Sequence, residues 1–179
     1  NKFYASGLKL PLALIYKERD YSIVTQDAHS TNIKAVKLLG DVKGKVAFLA
    51  DDMLGTGGTL LKAMQFLKEQ GATKVICAIS LPFFTGHAIK DFDEAYEQGL
   101  FYRIIGTNAV YHEDLLNREW YISTDVSGLF ANVITRIHYN QSLAELLDNR
   151  SIIEKVVKQT TPSIAEKGEE APAANAAKE

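Results

Sequence analysis

With a single cysteine in 179 residues, the sequence cannot form an internal disulfide. That residue, Cys77, lies in the apolar run Val75-Ile76-Cys77-Ala78-Ile79, where a packed core thiol is expected rather than a nucleophile. No apolar run approaches the length of a membrane span, and no signal peptide opens the chain. A cytoplasmic protein with no membrane partner is the expectation. Lys and Arg number 20 against 22 Asp and Glu, a net charge of −2, so there is no basic field to attract nucleic acid. His29, His87, His112 and His138 lack the i, i+4 pairing of a helical zinc site. No Gly-Lys-Ser/Thr closes a glycine loop and no G-x-G-x-x-G is present, which removes both common nucleotide fingerprints. At 46% hydrophobic residues the chain is long enough for one domain with its own core, and a second full domain is not expected.

What is present is an alternation of apolar segments and helical patterns, the signature of parallel β-α units. Strands are expected at Pro11 to Tyr16, Val46 to Ala50, Val75 to Leu81, Tyr102 to Gly106 and Tyr121 to Ser123. Between them, Thr59 to Gln70 carries Leu60, Leu61, Ala63, Met64 and Leu67 on a helical period, with Gly71 as its stop. Further helices are expected at Asn1 to Leu8, Ala88 to Gln98, Val126 to His138 with Asp125 as N-cap, and Ser142 to Leu147. Ser142-Leu143-Ala144-Glu145 reads as a capping box. Trp120 is expected to pack, and His87 to cap a helix or lie on the surface.

Chemistry concentrates at Ala50-Asp51-Asp52-Met53-Leu54-Gly55-Thr56-Gly57-Gly58-Thr59. A continuous apolar strand of the kind buried in parallel sheets ends in two carboxylates, at the edge where open α/β sheets bind ligands. Gly57 and Gly58 then allow a tight turn and close backbone approach. The amides that open the following helix point at an anion, aided by the helix dipole. Asp51 and Asp52 suit the vicinal hydroxyls of a ribose whose 5-phosphate lies in the loop. A second polar feature is Lys17-Glu18-Arg19-Asp20-Tyr21, read as a long loop after the first strand, reaching Asn32, with two cations suited to close over a charged transition state.

The chain opens on Asn1 rather than Met, within what reads as the end of an amphipathic helix, so a piece of a longer protein is expected. From residue 159 to 179 it turns rich in Ala, Glu, Lys and Pro, and this stretch is expected to be a disordered tail behind a domain of residues 1–158.

The acid-acid-apolar-apolar-x-Thr-x-Gly-Thr pattern resembles the phosphoribosyl diphosphate motif of type I phosphoribosyltransferases and ribose-phosphate pyrophosphokinases. Lys17-Glu18-Arg19, the lead-in Gly40-Asp41-Val42-Lys43-Gly44-Lys45, and the Asp125-Val126-Ser127 and Arg136-Ile137-His138 regions extend the resemblance to the C-terminal half of a ribose-phosphate pyrophosphokinase, over roughly residues 1 to 150. It implies a three-layer α/β/α fold with a mainly parallel twisted sheet. It implies diphosphate transfer from ATP to the 1-hydroxyl of ribose 5-phosphate with Mg²⁺, giving phosphoribosyl pyrophosphate and AMP for nucleotide biosynthesis. Lys17 and Arg19 would be catalytic, Asp51 and Asp52 would hold the ribose, and Gly55, Thr56, Gly57, Gly58 and Thr59 would form the phosphate site. Ser142 would line an effector phosphate site, and no residue of this chain is assigned to metal. The resemblance further implies a missing N-terminal, ATP-binding half, a missing pyrophosphate loop upstream of Asn1, homo-oligomers from dimer to hexamer in the full-length enzyme, and an inert isolated chain.

Two departures stand out. Gly55 replaces an Asp common in the family, and Ser80-Leu81-Pro82-Phe83-Phe84 replaces a Thr-His-Gly turn. Leu54 to Thr59 also resembles the loop of adenine salvage enzymes, which keeps a purine-salvage phosphoribosyltransferase as one alternative; a non-catalytic regulatory relative is another.

Overall fold

Apolar strands separated by amphipathic helices fold here into a parallel sheet. The computed structural model describes residues 2–19 and 33–160. The chain enters through helix α1 (Lys2–Gly7), followed by strands β1 (Leu14–Arg19), β2 (Ile33–Leu39) and β3 (Val46–Leu54). Then come α2 (Gly58–Glu69), β4 (Lys74–Pro82), α3 (Ala88–Glu97), β5 (Arg103–Thr107), α4 (Glu113–Leu116) and β6 (Tyr121–Thr124). Helices α5 (Ser127–His138), α6 (Ala144–Leu147) and α7 (Arg150–Thr160) complete the described chain.

Strands β3, β4, β5 and β6 lie side by side in that order, all parallel. Right-handed crossovers that step in one direction place their helices on one face of the sheet. The burial pattern agrees: Val75, Cys77 and Ile79 of β4 are buried with Leu60, Met64 and Leu67 of α2, Phe92 of α3 and Leu115 of α4. Fully buried side chains such as Phe92, Met64 and Ile104 each contribute about 1.5–3 kcal/mol by leaving water. The aromatic centre of this core is Phe84, Phe92, Phe101, Trp120 and Tyr121, with ring centroids 5.5 to 6.0 Å apart. On the opposite face α1 forms the third layer, Tyr4 meeting Phe48 edge to face at 5.3 Å, and Gly7 lies against Ile153 of α7. No helix among the described residues is long and apolar enough to cross a membrane.

The first strand begins later than its composition suggests. Lys9 takes a left-handed φ of 53° and Leu10 N–H returns to the Ala5 carbonyl at 2.9 Å, so residues 8–10 close α1. Strand β1 therefore runs through Lys17, Glu18 and Arg19, which the sequence reading had placed in a loop. Their backbone partner is β2, an antiparallel strand that was not anticipated, with pairs Lys17↔Val36, Glu18↔Ala35 and Arg19↔Ile33 and an irregularity between Glu18 and Arg19. The expected loop at 20–32 lies outside the described residues, as does the expected tail of 159–179 apart from residues 159 and 160, which end α7. Helix α7 occupies a stretch for which no element was expected, and α6 is shorter than the expected Ser142 to Leu147.

The β1-β2 pair forms its own two-stranded sheet. A mainly apolar cavity of about 420 Å³ separates it from β3, lined by Ala13 and Ile15 on one side and Val46 to Leu49 on the other. Among the described residues, strand β3, whose apolar run resembles a central strand, thus has a ladder partner along one edge only.

Candidate active site

Strand β3 continues past the predicted end at Ala50, because β4 extends alongside it: Asp51 pairs with Ile79, Met53 with Leu81 and Leu54 with Pro82. Asp51 and Asp52 therefore sit inside the strand rather than just beyond it. They still lie at the carboxyl end of the sheet, since β5 pairs with β4 only as far as Ile79↔Gly106. Both side chains are exposed, and each turns back on the next backbone amide. Asp51 Oδ1 accepts from Asp52 N–H at 3.0 Å, and Asp52 Oδ1 accepts from Met53 N–H at 2.9 Å. These local bonds fix the carboxylates while leaving further oxygen lone pairs for a ligand.

The two carboxylates edge a cavity of about 370 Å³ across the carboxyl ends of the strands. Its other polar walls are Ser80, Thr107 and Thr124, and Tyr4 borders it from α1. Thr107 is locked in place, its hydroxyl donating to the Ser80 carbonyl and accepting from Ala109 N–H. Ser80 opens the stretch that departs from the family's Thr-His-Gly turn, whereas Thr107 and Thr124 carry no mark in the sequence, although strand ends of a parallel sheet are where such groups belong.

After β3 the chain turns through Gly55, Thr56 and Gly57 into α2. Gly57 takes φ 76° and ψ −5°, a left-handed conformation that favours glycine. A second constraint acts there: a Cβ on Gly57 would lie 2.3 Å from Phe92 Cε2. The Gly57 carbonyl accepts the first helical bond, from Leu61 N–H at 2.9 Å. The first-turn amides have no acceptor within the helix, and no acidic side chain in that turn offsets the positive end of the dipole. Meanwhile the Leu54 and Gly55 carbonyls accept from Phe84 N–H and Thr85 N–H, both at 3.1 Å. The turn thus offers donors on one side and holds two acceptors on the other.

One strand-turn-helix junction gathers Asp51, Asp52, Gly55, Thr56, Gly57, Gly58 and Thr59. Lys17 and Arg19 are on β1, in the separate two-stranded sheet. Ser142 lies between α5 and α6. Its hydroxyl accepts from Ala144 N–H at 3.2 Å and its carbonyl from Arg136 at 2.6 Å, a reduced form of the expected capping box because the helix starts one residue after Leu143.

Asp125 precedes the N-cap of α5 instead of forming it, yet its carboxylate accepts from Ser127 N–H and from Asn108, which hold its pKa below the ordinary value. Trp120 packs as expected, and its Nε1–H donates to Asp93, which Arg118 also grips. The thiol of Cys77 is fully buried, and burial, reinforced by the Asp51 charge, pushes its pKa up to about 12, which leaves it inert as a nucleophile. Among the described residues no group of three or more His, Cys, Asp or Glu side chains is arranged to hold a metal.

Residues 1–115 match the phosphoribosyl transferase domain family. The chain is 36% identical over 143 residues to ribose-phosphate pyrophosphokinase 2 of Schizosaccharomyces pombe, covering 79% of this chain and 41% of that protein. To the ribose-phosphate pyrophosphokinase of Wolinella succinogenes it is 32% identical over 145 residues, 81% of this chain and 42% of the relative. The crystal structure of phosphoribosylpyrophosphate synthetase from Mycobacterium smegmatis superposes with a TM-score of 0.62 at 29% identity, over 78% of this chain and 41% of that one. The chain spans about two-fifths of the length of these relatives. With its parallel sheet, its carboxylate pair and its glycine turn into α2, it belongs to the phosphoribosyl transferase domain family, in the branch similar to ribose-phosphate pyrophosphokinases.

Proposed function

We propose that this chain is the ribose 5-phosphate-binding half of a ribose-phosphate diphosphokinase. The observation that carries the reading is the pairing, on one strand-turn-helix junction, of two exposed carboxylates with a left-handed Gly57 turn that opens α2. Asp51 and Asp52 accept from the ribose hydroxyls. Thr56, Gly57, Gly58 and Thr59 hold the 5-phosphate through first-turn amides and hydroxyls, an arrangement for which helix N-termini are well suited. Gly55 keeps the turn small. The cavity running to Thr107 and Thr124 gives the sugar room against the sheet.

The reaction assigned to the parent enzyme is transfer of diphosphate from ATP to the 1-hydroxyl of ribose 5-phosphate, with AMP leaving; the relatives' names, ribose-phosphate pyrophosphokinase and phosphoribosylpyrophosphate synthetase, support this reading. Lys17 and Arg19 are the cations assigned to the charge that develops on the transferring group. Mg²⁺ ordinarily takes one or two carboxylates together with phosphate oxygens and water, and the exposed Asp51 and Asp52 fit that role. When bound it neutralises phosphate charge; this chain's own part is to orient the sugar and present its 1-hydroxyl. ATP is assigned to a second half that the matched relatives are long enough to contain. The same reading assigns a cytoplasmic, homo-oligomeric parent enzyme and an isolated chain that turns over no substrate.

The test is calorimetric titration with ribose 5-phosphate, ribose and inorganic phosphate, on the wild type and on Asp52→Ala, beside a phosphorus NMR assay with ATP. Saturable binding of ribose 5-phosphate, stronger than of either part alone and weakened by Asp52→Ala, without phosphoribosyl pyrophosphate formation, supports the reading. Turnover by this chain alone overturns the half-site assignment, and absence of binding in both forms favours a regulatory relative.

A further inference from the structure

Three non-glycine residues among the described ones have left-handed φ angles: Lys9, Phe84 and Asn140. Lys9 and Asn140 are exposed and follow the ends of α1 and α5, an ordinary place for such a conformation. Phe84, with φ 46°, is different. It is buried and stands in the β4-α3 connection beside the glycine turn. An unfavourable backbone conformation in a bulky residue persists only where its surroundings over-determine it, and such residues cluster at functional sites.

Two sets of contacts hold Phe84. Its N–H and that of Thr85 donate to the carbonyls of Leu54 and Gly55 at 3.1 Å each. Its ring meets Phe92 edge to face at 5.5 Å, and Phe92 occupies the space that a Cβ on Gly57 would need. One short segment therefore grips the turn at both ends: through its carbonyls at the start, and through Phe92 at Gly57. An anion cradle needs its N–H groups turned inward and its carbonyl oxygens held away, because an inward oxygen repels the ligand.

We propose that Phe84, with the backbone amide of Thr85, is a positioning residue for the anion-binding turn: it holds the Leu54 and Gly55 carbonyls outward and, through Phe92, fixes the turn at Gly57. The inference rests on the ribose 5-phosphate reading for its purpose. Its geometry stands independently.

Phe84→Gly keeps the left-handed turn and the N–H donor without the ring, and Phe84→Leu keeps apolar bulk without the flat edge. Phe101→Leu is the control: it sits 5.7 Å from both Phe92 and Trp120, in the same aromatic cluster, away from the turn. Amide exchange of Thr85 and Leu61, whose N–H groups donate to the Gly55 and Gly57 carbonyls of the turn at 3.1 and 2.9 Å, referenced to β5 amides in the same molecule, rises about tenfold or more in both Phe84 variants and stays within about twofold in Phe101→Leu. Affinity for inorganic phosphate and ribose 5-phosphate falls by about tenfold in the Phe84 variants only. Equal effects in Phe101→Leu, or unchanged exchange in the Phe84 variants, overturn the proposal. If the wild type binds neither phosphate nor ribose 5-phosphate, the ribose-phosphate reading fails, and the exchange comparison still decides whether Phe84 holds the turn.

Discussion

Replacing Gly57 by alanine adds one methyl group at a position where two independent constraints forbid it. The left-handed φ of 76° costs a non-glycine residue about 1–2 kcal/mol. The new Cβ would also meet Phe92 Cε2 at 2.3 Å and Cζ at 3.0 Å, and Phe92 is fully buried among other rings with no free direction to retreat. Overpacking of that kind costs about 1–3 kcal/mol. Together the two terms predict a loss of about 2–5 kcal/mol, a substantial part of the 5–15 kcal/mol that typically holds a domain folded. In a chain of this size each kcal/mol moves the melting temperature by about 2–4 °C. Gly58→Ala is the internal control, since Gly58 lies at the start of α2, has no positive φ and has open space around its Cβ position. Alanine there should be neutral or stabilise by up to about 1 kcal/mol, because glycine is the poorer helix former. Urea denaturation of the three proteins decides the matter. A Gly57→Ala loss within about 0.5 kcal/mol of zero, the range of an ordinary surface change, refutes the reasoning.

The other glycine under pressure is Gly106, where a Cβ would lie 2.2 Å from the Tyr121 hydroxyl oxygen; Gly106→Ala should cost about 1–3 kcal/mol, and adding Tyr121→Phe should recover part of that in a double-mutant cycle. Asp93 accepts from Arg118 and Trp120, chiefly from the Arg118 guanidinium, and its pKa is lowered below 3.8. A carboxylate depressed in the folded state contributes stability that is present above the unfolded pKa and is lost as pH falls through the folded one. The wild-type advantage over Asp93→Asn should therefore be about 1 kcal/mol at neutral pH, kept small by solvent exposure, and should shrink below about pH 4 in acid denaturation curves. Cys77, with its thiol at about 12, should react with a thiol-specific disulfide reagent at pH 8 only at the rate of unfolding, and at once in denaturant.

Much of the sheet was legible because period and punctuation coincide. The helical spacing from Leu60 to Leu67 and the stop at Gly71 locate α2 to within a residue, and Val75 to Leu81 gives β4 nearly whole. Strand β2 was not anticipated because Ile33-Lys34-Ala35-Val36-Lys37-Leu38-Leu39 mixes apolar and charged residues without a clean strand alternation, and its strand state comes from pairing with β1 along Leu14 to Arg19. The same pairing makes a strand of Lys17 to Arg19, where charge alone suggested a loop. The core of the site was legible from Asp51 to Thr59, since two acids and a glycine turn have a local chemical meaning. Phe84 was not. Its position depends on an angle of 46° and on Phe92, eight residues away in sequence, and neither leaves a mark in composition.

The central claim is that Asp51, Asp52 and the turn into α2 form one ribose 5-phosphate site. Amide NMR titration of this chain with ribose 5-phosphate tests it most directly, by reporting where the ligand sits as well as whether it binds. The account predicts saturable shifts concentrated at Asp51, Asp52 and Gly55 to Thr59, with affinity reduced by about tenfold or more in Asp52→Ala, as expected for loss of hydrogen bonds to a charged group. Shifts centred elsewhere, or an Asp52→Ala variant that binds as well as the wild type, would contradict it.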